Sequence, residues 1–351
     1  PPSAAIGGQR IVNFAKNLPL FGFETSVLTV KEKYIARLDH GRLKDIESIK
    51  VTRTGMLPQV TALYPRLMAL LAKKTVHADE NASSGPSLDP SGAGNEKITR
   101  KLRRYVKSFI FLPDSERNWV MPAVYRAARL IRRDNIDCIL TSCPPYSAHL
   151  IGLYLKTITG VKWIADFRDP WMIIGTKRLY TTCKLSLRFE KWIEKKVIKK
   201  ADMVLFNTMR IRDAYANRYG DEPAGKFVYI VNGFDPGVFS RHKNLEKYDR
   251  FTLSYTGSMY VGRTPEPIFM AVKKLISDGR VNAGAICIKL VGECRYINGR
   301  STSEMAGSYG LDSIVEVVNT VPYHEALDII SRSHLAMLFA HGMNCPITDP
   351  T

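Results

Sequence analysis

The sequence predicts an α/β chain of two domains, each built on a parallel sheet. Three observations carry that expectation. Short apolar, β-branched runs recur along the chain, stretches of helical spacing separate them, and the alternation pauses near Pro236 before resuming. With 351 residues, 45% of them hydrophobic and 24% charged, the chain is long and apolar enough to bury two cores.

In order, strands are expected at 26–30 (SVLTV), 49–55 (IKVTRTG), 137–143 (DCILTSC), 161–167 (VKWIADF), 202–208 (DMVLFNT) and 226–232 (KFVYIVN). Between several of them, 123–133, 147–158 and 185–200 space their apolar residues at three and four, as a half-buried helix does. A linker-like stretch at 236–250 follows. Beyond it come strands at 251–257, 285–292, 313–321 and 334–340, with helices near 265–278 and 323–332. The domains are therefore expected at 1–236 and 237–351, the second with too few helices to cover a doubly wound sheet. Residues 77–97 (HADENASSGPSLDPSGAGNEK) have almost no apolar content and read as a disordered insertion.

The charge lies unevenly. Residues 1–236 hold 39 Lys and Arg against 22 Asp and Glu, whereas 237–351 hold 12 against 11, so nearly all of the +18 excess sits in the first part. That points to one anion-facing half. Its most basic stretch, KITRKLRRYVKSFIF (97–111), sets six cations beside an apolar ladder and suits either an anionic membrane surface or a solvated helix face. Nothing in the sequence has zinc-finger or RNP-type spacing, so no nucleic-acid partner is expected. The six cysteines form no CxxC pair, and several sit in strand-like runs, which argues for free thiols in a reducing cytosol. No apolar run approaches the ~18 residues of a membrane span. HExxH, GxSxG and DxD are all missing from the sequence, and no metal site is expected.

Candidate site residues gather where strands end. Gly7 and Gly8 precede a helix and would let backbone amides approach a phosphate, though an ordinary tight turn uses the same pair. In WIADFRDPWM a strand runs into Asp166, Arg168 and Asp169, at the kind of strand end where open α/β sheets bind ligands. A structural Asp–Arg pair is the alternative. TSCPPYSAHLIG places His149 one turn into a helix, as a packed or surface residue or as a site residue. Asn232 with Gly233 suits a tight turn, and Gly257, Ser258 and Arg263 follow the first strand of the second half. An arginine there could clamp a diphosphate or simply face water.

Taken in order, PPSAAIGGQR, DSERNWVMP, TSCPPYSAHL, ADFRDPW, VNGFDPGVF and YTGSMYVGR resemble the pattern of glycosyltransferase family 4, enzymes of the GT-B fold. The resemblance spans nearly the whole chain apart from 77–97. It implies two Rossmann-like domains facing across a cleft, the first for an acceptor and the second for a nucleotide-sugar. It also implies metal-independent transfer with retention of configuration, with no cofactor beyond the donor. By position, Gly7, Gly8 and Arg263 match the groups on the donor diphosphate, with Gly257 and Ser258 beside them. Ser258 stands where many members carry a second arginine. Asp166, Arg168 and Asp169 match the segment that presents a catalytic-site histidine in many members, and His149 and Asn232 fall to the acceptor side. The family's E-x7-E segment and final helix do not follow before Thr351, nor does a first strand precede Pro1, so the resemblance implies a chain truncated at both ends. A lipid-linked or polysaccharide acceptor at the cytoplasmic face of the cell membrane is the expected partner. A GT-B sugar-nucleotide epimerase and a non-catalytic anion-binding subunit are the competing readings.

Overall fold

The computed structural model describes residues 6–35, 37–58, 112–172, 184–223, 225–259 and 263–339. The expected insertion at 77–97 and the basic stretch at 97–111 lie outside them. Two compact units emerge: the first comprises Pro1–Thr25, Ile35–Ile49 and Asn232–Thr351, the second Ser26–Tyr34 and Lys50–Val231.

Along the chain the first helix is α1 (Gln9–Asn17), which buries Arg10, Val12 and Ala15 in the first unit. Strands β1 (Ser26–Val30) and β2 (Lys50–Thr54) pair in parallel, from Ser26 opposite Lys50 to Val30 opposite Thr54. They are followed in the second unit by α2 (Val120–Arg133), β3 (Cys138–Cys143), α3 (Ser147–Thr159) and β4 (Lys162–Phe167). Next come α4 (Lys184–Lys200), β5 (Met203–Phe206), α5 (Met209–Arg218) and β6 (Phe227–Tyr229). Strands β3, β4, β5 and β6 form one parallel sheet in sequence order. Rising strand after strand with helices between is what the short β-branched runs impose.

The packing of this unit follows from period. On α2 the buried residues Val120, Ala123, Val124 and Ala127 recur at three and four, and they meet Ile151 and Leu155 of α3. On β4, Trp163, Ala165 and Phe167 share one face by the period of two and are all fully buried. The small residue facing Trp163 is Gly152 of α3, where a Cβ would stand 2.3 Å from the indole Cε2. Gly152→Ala is therefore expected to cost about 1–3 kcal/mol or more through overpacking, read as a lower urea midpoint. Equal midpoints would mean that the ring can step aside.

The first unit continues with α6 (Pro236–Arg241), β7 (Phe251–Ser258), α7 (Glu266–Ser277) and β8 (Ile286–Glu293). A small antiparallel pair, β9 (Tyr296–Ile297) and β10 (Arg300–Ser301), leads to α8 (Thr302–Ser308), β11 (Val315–Val318), α9 (Tyr323–Arg332) and β12 (Leu335–Ala336). Its parallel sheet has the order β11-β8-β7-β12. Phe269, Ile288, Leu290, Leu311 and Ile314 fill the core beside it.

Two local expectations fail. The stretch at 236–250 is not all linker: Asp235 accepts from the Gly237 amide at 2.9 Å and starts α6, a helix too short to show periodicity. Asn232 and Gly233 make no tight turn; the chain there is irregular, with Asn232 held by a side chain.

Candidate functional site

The second unit assembles its candidates at the C-terminal ends of β3 and β4. Asp166, fully buried, turns toward β3 and accepts the Ser142 hydroxyl at 2.7 Å. Arg168 reaches across to the loop that follows β3. Its Nε donates to the Cys143 carbonyl at 3.1 Å and its Nη2 to the Pro144 carbonyl, so the guanidinium braces that loop. Tyr146 on the same loop stacks on Trp171, with ring centroids 4.8 Å apart, and donates its hydroxyl to the Pro170 carbonyl at 3.0 Å. Asp169 lies between these anchors with an exposed side chain, and its carboxylate takes no hydrogen bond among the described residues. Crowding by the loop raises its pKa above the ordinary value, opposed by the Arg168 charge. A carboxyl that is exposed and raised can meet a ligand and move a proton. Asp166 and Arg168 shape the ground on which it stands.

Beneath this loop lies a buried acidic network. The Trp171 indole donates to Glu190 at 2.8 Å, while the Trp171 amide donates to the Tyr215 hydroxyl at 2.9 Å. Glu194 accepts from Tyr215 at 2.6 Å, from Tyr219 at 3.1 Å and from the Met172 amide at 3.2 Å. On the far side, Asp114 accepts from the amide and the hydroxyl of Ser147, fixing the start of α3. The loop is thus held from three directions.

His149 faces inward and is fully buried, with its ring 4.5 Å from that of Phe167. The Trp163 indole donates to Thr141 Oγ1 at 2.8 Å, and Thr141 Oγ1 lies 2.8 Å from His149 Nδ1. Thr141 Oγ1 thus bridges the indole and the imidazole, while His149 Nε2 is buried with no hydrogen-bond partner among the described residues. Burial, and then the Arg168 charge, push the pKa down to about 3, so the ring is neutral near pH 7. His149 is a packed, neutral ring.

The donor candidates fall in the first unit. Gly7 and Gly8 form a short 3-10 turn into α1, which starts without a side-chain cap, and a Cβ at Gly8 would meet nothing within 4 Å. Gly8 itself is exposed. Arg10, one turn further on and buried, donates to Asn232 Oδ1 at 3.0 Å, which puts Asn232 beside the opening of α1. Buried Arg42 donates to Gln9 at 2.5 Å and lies 5.3 Å over the Tyr323 ring. Gly257 and Gly292 face each other where β7 and β8 end; a Cβ at Gly292 would stand 2.2 Å from the Gly257 carbonyl oxygen. Ser258 pairs with Glu293, and its carbonyl accepts the Tyr255 hydroxyl at 3.0 Å. Arg263 is half-buried just before α7.

The structure therefore brings Asp166, Arg168, Asp169 and His149 into one unit and Gly7, Gly8, Asn232, Gly257, Ser258 and Arg263 into the other. Sequence reasoning missed Glu190, Glu194, Tyr215 and Arg42, and it gave Asp114 no role although DSERNWVMP was part of the resemblance. Only the density of Asp and Trp around 114–119 and 166–171 hinted at a braced loop. Cys138, Cys143, Cys287 and Cys294 carry free thiols. Among the described residues no three His, Cys, Asp or Glu side chains could together hold a metal ion, and no helix is long and apolar enough to cross a membrane.

Comparison with known proteins bears on the same segments. The sequence model of Glycosyltransferase Family 4 matches residues 83–238. No curated protein matches the chain. HepE of Anabaena in complex with UDP-glucose is similar in structure at 12% identity and a TM-score of 0.50, over 96% of this chain and 71% of that one. Sucrose-phosphate synthase from Thermosynechococcus elongatus matches at 16% identity and a TM-score of 0.44, over 62% of this chain and 53% of that one. The chain spans about half the length of the first structures it matches, 53% and 55% of them. The likeness at 0.50 shows the fold: α/β with parallel sheets, of the GT-B kind.

Proposed function

We propose that the chain is a retaining glycosyltransferase that moves a sugar from a nucleotide-sugar to a lipid-linked or polysaccharide acceptor at the cytoplasmic face of the membrane. The observation that carries the reading is the strand-end loop ADFRDPW, braced from three sides so that one carboxyl, Asp169, is left exposed with a raised pKa. The family match over this segment and the fold of a protein solved with UDP-glucose support it.

In this reading the donor lies in the first unit. The amides of Gly7 and Gly8 and the Arg263 guanidinium meet the diphosphate and stabilise the charge that develops as it leaves, the work a metal does in other transferases. No cofactor is needed beyond the donor. Asp169 orients the acceptor hydroxyl or handles its proton, and Asp166 and Arg168 hold Asp169 in place. Arg263→Ala is expected to weaken donor binding and transition-state stabilisation together, by on the order of 2–4 kcal/mol. Unchanged donor affinity and turnover would remove Arg263 from the site.

The test is to incubate the protein with a panel of UDP- and GDP-sugars, with and without glycan and lipid-linked acceptors. Acceptor-dependent release of nucleoside diphosphate is the expected result. An epimerised sugar-nucleotide, or binding without turnover, would overturn the proposal in favour of an epimerase or a non-catalytic subunit.

A further inference from the structure

We infer that the outer face of α4 docks on an anionic membrane surface. Every exposed residue of this 17-residue helix is either a cation or apolar. Leu185, Phe189 and Trp192, spaced at four and three, form one stripe, with exposures of 57%, 45% and 50%. Phe189 and Trp192 stack with centroids 5.4 Å apart, and the Lys196 ammonium lies 4.0 Å over the Trp192 ring. Seven Lys and Arg, Arg188, Lys191, Lys195 and Lys199 among them, surround the stripe.

The placement of the acids is what makes the face specific. Both carboxylates of α4, Glu190 and Glu194, are buried against Trp171 and Tyr215. A helix that needed only solubility would mix signs on its outer face and gain from pairs four residues apart. Here seven like charges repel one another, and an anionic partner relieves that repulsion.

Neighbouring helices carry the same chemistry. Helix α3 packs on α4 and exposes Tyr154 and Ile158. Helix α2, packed on α3, has no acid anywhere and exposes Met121, Tyr125 and four arginines, with Arg129 lying 4.3 Å over the Tyr125 ring.

Lipid fits better than nucleic acid. Aliphatic Leu185, Ile158 and Met121 have no π-face on which a base could stack. The exposed positions of α4 also include no Asn, Gln or Ser to read base edges. Trp and Phe at the water–lipid boundary, with lysines reaching to headgroups, are the chemistry of an interfacial helix. This surface gives the membrane partner of the proposed transferase a location. It stands on the helix alone, because vesicle binding is read without donor or acceptor.

The experiment is sedimentation of the protein with vesicles of phosphatidylcholine containing about one-third phosphatidylglycerol, against vesicles of phosphatidylcholine only. Binding to the anionic vesicles alone is expected, with release at about 0.5 M salt. Phe189→Ser with Trp192→Ser, and separately Lys191→Gln, Lys195→Gln and Lys199→Gln together, should each weaken it at least about tenfold. Matched melting temperatures would separate lost binding from lost folding. Should a multiple variant melt early, Trp192→Ser and Lys195→Gln alone are each expected to weaken binding in the same direction. No sedimentation would overturn the inference, as would full binding by the apolar variant or tighter binding to a polyuridylate oligomer. Transfer to a soluble acceptor is measured apart, so a failure here leaves the transferase reading standing.

Discussion

Replacing Glu194 with alanine is expected to destabilise the protein by about 3 kcal/mol, because two buried donors and the half-buried Tyr219 hydroxyl lose their acceptor at once. The carboxylate is fully buried and takes the Tyr215 and Tyr219 hydroxyls and the Met172 amide. Alanine also leaves a void beside Tyr215, which is itself fully buried. Equilibrium denaturation in urea measures the loss. Glu194→Gln keeps one acceptor oxygen and should lose much less. The pH dependence gives a second signature. Burial raises the Glu194 carboxyl above its ordinary 4.5, and the three hydrogen bonds lower it only in part. With the pKa raised in the folded state, the native form holds its proton longer. Stability contributed by this group is present below 4.5 and lost as pH climbs through the raised value. The amide introduced by Glu194→Gln does not titrate and carries no such slope, so parent and variant should diverge in pH dependence across that window. Parallel curves would mean that Glu194 titrates as it does in the unfolded chain.

Asp169→Asn is expected to lower turnover by about a hundredfold or more while leaving donor affinity nearly intact. The exposed carboxylate is the one acid of the loop that no described side chain occupies, and asparagine keeps its shape without its charge. The acid limb of the pH–rate profile should disappear with it, since the raised pKa belongs to this group. Steady-state kinetics with donor varied at saturating acceptor separates the two effects. A variant that turns over like the parent would leave the loop a purely structural clamp. Loss of donor binding would instead move Asp169 to the nucleotide side.

Much of the fold was legible because burial sets period. The helix expected at 323–332 is α9, Tyr323–Arg332, and VKWIADF is β4 to within one residue at its start. Alternation on a buried strand and three-four spacing on a helix survive whatever the tertiary context does. α6 was not legible: at six residues, opening with Pro-Gly, it has no period and reads as linker. The candidate residues were legible as a strand end, but their contacts were not. ADFRDPW marked the strand end correctly. Which of its charges faces out depends on partners far along the chain, the Cys143 and Pro144 carbonyls for Arg168 and the Ser142 hydroxyl for Asp166. Glu190 and Glu194 look in sequence like the acidic half of ordinary surface pairs on a lysine-rich helix. Only packing against Trp171 and Tyr215 turns them inward and leaves the outer face cationic.

The anomeric carbon of the donor reports most directly on the proposed chemistry. With a nucleotide-sugar labelled at that carbon and an acceptor present, carbon NMR follows both where the sugar goes and its configuration. The label is expected to leave the nucleotide and reappear in a glycoside of the same anomeric configuration, at a rate that falls in Asp169→Asn and Arg263→Ala. Label that stays on the nucleotide, whether intact or epimerised, or that reappears inverted, would contradict a retaining glycosyl transfer.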